Sequence, residues 1–262
     1  MALYMLCICF DKSQIMTSFA SLPMYDWPEL RPFTDEFWAG LAHHAGLSGT
    51  LVRDSPHEAL WHDERLQFSQ ACGFPLTHEF KGLLHYVATP HYAGDGCEGA
   101  NYSSFIFARE AKPLAEFAGA TPAVNALDSM SGNLALKLGF KEFLGRREFF
   151  QPPFISGGHL NSLQAVREGK ADLCAIDAVC VALAKKYRPK DLGDLVEVAR
   201  TPSVPGLPYV TRAGNVEQLR EALQKTFEDP QLAPARDALL LNGLSILPAK
   251  AYDIIPQLEA SL

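Results

Sequence analysis

Short apolar segments alternate with helix-patterned ones along most of this chain, and that alternation restricts the fold more than any other feature. Extended segments are expected at residues 17–25, 49–53, 66–69, 82–89, 102–109, 150–155 and 171–177. Between them, helices are expected after Pro28, after Pro75, from Ser131, and at 160–168 and 178–186. Strands separated by helices pair side by side into sheets that the helices cover, so the fold class is α/β. Further on, 195–199 and 208–211 read as extended around a proline-rich turn at 201–208, and the tail is helical by period at 216–227 and 232–241, less clearly at 249–258. A length of 262 residues accommodates two such units. Crossings near Ser103 and Tyr209 divide the chain into a first lobe of residues 17–104 and 210–262 and a second of 105–209, with 1–16 as an N-terminal extension ahead of a candidate start at Met16.

Composition excludes several classes. Hydrophobic residues at 48% argue against disorder, and a formal charge of −7 leaves no broad basic field for nucleic acid or an anionic membrane. No run reaches the roughly 18 to 20 apolar residues that span a bilayer, so the chain is not expected to be membrane-embedded. The apolar stretch 2–10 has no Lys or Arg before it and no small-residue cleavage pattern after it, a poor export signal. The chain as encoded is therefore expected in the cytoplasm, or in the periplasm if the start differs or a signal has been removed. Cys7, Cys9, Cys72, Cys97, Cys174 and Cys180 form no CxxC pair, so neither a zinc framework nor any other metal site is expected. Cys72 and Cys97 are candidates to pair in an oxidising compartment, whereas Cys174 and Cys180 sit in apolar runs that suit core thiols.

Three motifs resemble catalytic or cofactor signatures and fail on context. Residues 94–99, GDGCEG, match the dinucleotide pattern, but a β-rich segment follows where the motif needs a helix, so a loop or lid near a cleft is the better reading and no cofactor is expected. His57 and His62 are five residues apart, which rotates the second imidazole off the face that a shared metal requires, and they are read, with His43 and His44, as surface or core residues. No GxSxG elbow and no activated thiol is present, so a hydrolase lacks its nucleophile.

The stretch 125–137, NALDSMSGNLALK, runs from an expected strand into a hydroxyl-rich helix start. Ser129, Ser131 and Gly132 stand where the first amides of a helix have no intrahelical acceptor. Side-chain oxygens or a bound oxyanion must satisfy them, and the helix dipole favours the same occupant. His159 heads a later helix and Asp177 ends an apolar strand, the place where α/β sheets present ligand-facing groups; both also suit plain caps.

Taken in order, PMYD at 23–26, QACG at 70–73, TPHY at 89–92, GCEG at 96–99, YSS at 102–104, SMSG at 129–132, SGGH at 156–159, GKAD at 169–172 with Ile176 and Asp177, and PGLP at 205–208 resemble the phosphate/phosphite/phosphonate-binding proteins of ABC importers over about residues 17–245. The resemblance implies the type II periplasmic binding protein fold, two lobes closing on an anion in the cleft between them, and an ABC transporter permease as partner. It implies that Ser129, Ser131 and Gly132 hold the anionic oxygens, that His159 and Tyr25 add donors, that Asp177 accepts from a protonated oxygen or an amino group, and that Gln70 and Tyr92 line the first lobe. Met130 stands where the family often carries another hydroxyl. The alternatives are an enzyme on the same fold, of the kind seen in chorismate dehydratases and thiamin-pyrimidine synthases, or a cytosolic sensor of small acids.

Overall fold

The computed structural model describes residues 18–145, 149–248 and 250–262. The expected extension, the start at Met16, Thr17, Cys7 and Cys9 lie outside them. Two five-stranded sheets organise the chain. The first runs, edge to edge, Phe19–Ser21, Leu66–Gln70, Tyr209–Thr211, His85–Tyr92 and Leu241–Ser245; only the first pair is parallel. The second runs Val196–Arg200, Ser104–Ala108, Leu173–Asp177, Pro122–Val124 and Phe154–Ile155, with the last three strands parallel. The backbone passes between sheets through segments 93–103 and 201–208, where the short strands Cys97–Glu98, Asn101–Tyr102 and Val204–Pro205 form a third small sheet.

Each large sheet is sealed by helices whose apolar faces fill a core of its own. Helices Arg31–Ala45 and Val216–Glu228 lay Phe37, Trp38, Leu41, Leu219 and Leu223 against Phe68, Val87 and Tyr209 of the first sheet. On the second, Leu136, Phe140 and Phe149 pack on Ile106, Val124 and Leu173. A further cluster runs between the sheets through Leu66, Tyr102, Phe105, Met130 and Ile176.

Several local expectations are corrected. The first helix begins at Arg31, so Pro32 and not Pro28 occupies its first turn, and Gly46 ends it in the left-handed region at φ 62°. Segment 49–53 forms only a single bridge, between Leu51 and Ala20. The helix expected at 232–241 stops after Ala233–Ala238. Leu240 turns into the left-handed region, and Leu241–Ser245 pairs instead with the edge of His85–Tyr92. The GDGCEG loop is no lid: Gly94 passes so close to the helix Ala178–Tyr187 that an added Cβ would lie 2.7 Å from that of Ala182. Gly94 and Gly96 let the first crossing lie close against the start of that helix. Cys72, Cys97, Cys174 and Cys180 are all free thiols, so the 72–97 pairing is absent. Burial pushes the Cys97 thiol up to about 12, and Cys72 is pushed upward for the same reason.

Candidate functional site

Strand Pro122–Val124 ends at Asn125, and five residues later the chain opens into one π-helical turn, Met130–Leu134, before the α-helix Ala135–Gly139. The wide turn follows from how the Ser129 cap distributes the amides. Its carbonyl accepts from both Asn133 and Leu134, while its hydroxyl accepts from the Gly132 amide at 3.0 Å. The Met130 amide donates to the Cys72 thiol at 3.4 Å. The Ser131 amide makes no hydrogen bond to the described residues. The expected anion cradle is thus reduced: Gly132 is not a free donor and does not face the cleft, because the point where its side chain would stand is filled by Asn125 Oδ1, only 1.8 Å from an ideal Cβ.

A cleft of about 360 Å³ opens in front of this turn, between elements of the two sheets. Tyr25, Ser129, Ser131, His159 and Asp177 all line it. Two of them meet on the carboxylate of Asp177, and Ser131 joins through His159. Tyr25 donates its hydroxyl to Asp177 Oδ1 at 3.1 Å, and His159 Nε2 lies 3.1 Å from Oδ2 and 2.9 Å from Ser131 Oγ. Asp177 is 1% exposed and also caps the helix Ala178–Tyr187, accepting from the Cys180 amide at 2.7 Å. Burial, and then the nearby Asp177 charge, push the Tyr25 phenol well above its ordinary value, so it remains a donor. Tyr25 is held at φ 61°, a conformation that a bulky residue adopts only where its surroundings fix it.

This wall is built to hold, not to react. A serine is activated when its histidine takes the proton on one ring nitrogen and is oriented by a carboxylate on the other. Here Asp177 and Ser131 share Nε2, and the buried Nδ1 has no partner among the described residues. Among the described residues the cleft lining includes Asp26, Asp128 and Asp177 but no Lys or Arg. Asp26 is neutralised from its own side by Arg31 and Arg53, both at 3.0 Å, whereas Asp128 has no ion-pair partner among the described residues.

Two expected site residues stand elsewhere. Gln70 and Tyr92 lie behind Tyr25 and not on the cleft wall: Gln70 donates to the Tyr92 hydroxyl and to the Leu207 carbonyl, each at 3.0 Å, and the Tyr92 ring meets Tyr25 edge-on at 5.7 Å. The Tyr92 ring thus backs the tyrosine in front, with Gln70 holding its hydroxyl. Conversely, Trp27, His57, Trp61 and Asn125 line the cleft without having been anticipated. The PMYD segment directly before Trp27 was the available signal for that one. His57 packs edge-on against Trp61, 4.7 Å between ring centres, a neighbour that spacing arguments about metal sharing do not address.

Two sheets with helices, two crossings and a cleft between define the two-lobed fold of the periplasmic binding proteins. The chain belongs to the family described as ABC transporter, phosphonate, periplasmic substrate-binding protein, whose model matches residues 66–247. That family binds substrate for transport and does not transform it, so the leading expectation stands over the enzyme alternative. Among solved structures, PhnD1 from Prochlorococcus marinus in complex with methylphosphonate aligns with 93% of this chain and 97% of its own at 12% identity and a TM-score of 0.74. A binding protein component of an ABC phosphonate transporter from Pseudomonas aeruginosa aligns with 93% and 85% at 13% identity and 0.72. A Xanthomonas citri protein bound to ATP aligns with 94% and 96% at 19% identity and 0.69. At these identities the likenesses speak for the fold. No curated protein matches the chain in sequence. No helix among the described residues is long and apolar enough to cross a membrane.

Proposed function

We propose that this chain captures a small phosphonate-like anion in the cleft, in the periplasm, and delivers it to an ABC transporter permease. The observation that carries this reading is the convergence of the Ser131 hydroxyl, His159 Nε2 and the Tyr25 hydroxyl on one buried wall, beside an unbonded Ser131 amide. Neutral donors of this kind satisfy a buried oxyanion without a matching cation. In the form described here, the Asp177 carboxylate engages the Tyr25 hydroxyl and His159 Nε2, and the Ser131 hydroxyl meets His159, so the carboxylate stands in for part of a ligand. An incoming anion takes over the Ser131 and His159 contacts. Asp177 and the unpaired Asp128 then face its substituent, which suits a ligand bearing a protonated oxygen or an amino group. A volume of about 360 Å³ leaves room for an organic group beyond the anionic head.

Calorimetry and thermal unfolding with methylphosphonate, 2-aminoethylphosphonate, phosphate, phosphite and a small carboxylate test the proposal. A phosphorus oxyanion is expected to raise the melting temperature, as any ligand selective for the folded state does. Ser131→Ala is expected to weaken that binding about tenfold or more, the usual cost of one charge-assisted hydrogen bond. Absence of any stabilisation at large excess of all five compounds, with the wild-type protein folded, would end the anion assignment.

A further inference from the structure

The segment Tyr25 to Leu30 leaves the first sheet and lies along the helix Ala178–Tyr187, which leaves the second. It is fixed at three points. At the N-terminal end of that helix, Asp177 accepts from the Tyr25 hydroxyl. Along its side, Leu30 is fully buried against Val179 and Leu183. Beyond its C-terminal end, Arg188 reaches back: Nε and Nη2 donate to the two carboxylate oxygens of Glu29 at 2.5 and 2.8 Å, while the guanidinium carbon stands over the Trp27 ring, 5.3 Å from its centre. The Arg188 guanidinium holds the Glu29 carboxyl below the usual carboxylate range, as a tight ion pair does.

Trp27 itself lines the cleft. We infer that Arg188, oriented by Glu29, is a positioning residue that holds Trp27 in the cleft wall and thereby prolongs the stay of a captured ligand. The guanidinium plane is well suited to this task. It stacks on an indole with one face and presents a two-pronged fork to a carboxylate with its edge, so the pair fixes both the height and the rotation of the group beneath it. The residues joined belong to elements of different sheets, so holding Trp27 also ties one side of the cleft to the other. The retention half of the inference rests on the binding role proposed above; the fixing of Trp27 does not.

The test uses the intact chain and reads each half separately. Of the three tryptophans, Trp38 and Trp61 are 3% and 1% exposed while Trp27 is half-buried, so acrylamide quenching of the ligand-free protein reports chiefly on Trp27. Arg188→Ala is expected to raise the quenching constant. In stopped-flow displacement it is expected to speed release of bound phosphonate about tenfold with little change in capture rate, since interface losses fall mainly on dissociation. Glu29→Gln, a milder change that keeps the side-chain volume, is expected to shift both in the same direction by less. Arg188→Lys, which retains the charge but not the fork, is expected to lie between. Trp27→Ala combined with Arg188→Ala is expected to speed release little beyond the faster of the two single variants, that is, to be strongly non-additive. Unchanged quenching in both Arg188→Ala and Glu29→Gln overturns the inference whether or not a ligand has been found. Raised quenching with release at the wild-type rate, or strictly additive effects in the double variant, overturns its retention half. Failure of the wild type to hold any of the phosphorus oxyanions removes the binding role while leaving the quenching result to decide on Trp27.

Discussion

Asp177→Ala is expected to lower the free energy of unfolding by about 2–4 kcal/mol, from the combined loss of a helix cap and of the acceptor for a buried hydroxyl. The carboxylate accepts from the Cys180 amide at the head of the helix Ala178–Tyr187, from the Tyr25 hydroxyl across the cleft, and faces His159 Nε2. A methyl group in its place leaves the buried Cys180 amide and the Tyr25 hydroxyl without their acceptor and His159 Nε2 with Ser131 alone. Asp177→Asn keeps one carbonyl oxygen and is expected to lose less than half as much. Urea denaturation followed by circular dichroism measures both. An alanine variant with the wild-type midpoint would mean that water reaches these groups freely and that the wall is not the closed arrangement described. Phosphonate affinity should fall in the alanine variant as well, because Tyr25 and His159 lose the anchor that aims them.

Gly132→Ala is expected to cost about 2–3 kcal/mol of stability, the range for forcing an extra carbon into packed surroundings, and to abolish tight anion binding. The new Cβ would stand 1.8 Å from Asn125 Oδ1 and 2.9 Å from its Cγ. Neither atom is the free end of a long side chain, so the clash is relieved only by driving Asn125 into the cleft or by unwinding the π turn that presents Ser131. Pairing the change with Asn125→Ala removes the obstructing atoms and should restore most of the stability. If Gly132→Ala alone melts and binds like the wild type, the turn is looser than its packing indicates. If the double variant stays as unstable as the single one, the obstruction lies elsewhere.

The α/β class and the principal strands were legible because their apolar runs are long and bounded by turn residues, as at 66–70, 104–108 and 173–177. The edge strand Leu241–Ser245 was not, since its sequence LNGLS carries no strand preference and exists as a strand only because the edge of His85–Tyr92 offers it hydrogen bonds. Ser131 and Asp177 could be picked out as a cap-region serine and a strand-end carboxylate. What no local pattern could convey was that they meet through His159, because that contact joins residues 28 and 18 positions apart across a fold. For the same reason, Gln70 and Tyr92 were placed one layer too far forward: a motif tells which residues cluster, not which of them ends up behind another. Gly132 was read as an amide donor when its actual service is to leave space for Asn125.

Among the described residues the lining of the cleft contains carboxylates and imidazoles but neither lysine nor arginine, on a chain with seven surplus negative charges. Simple inorganic anions therefore gain no head start at its mouth, for no positive field reaches out into solution to gather them. A solute is sorted only once its atoms touch the wall, where shape and the direction of each donor count for more than the size of its charge.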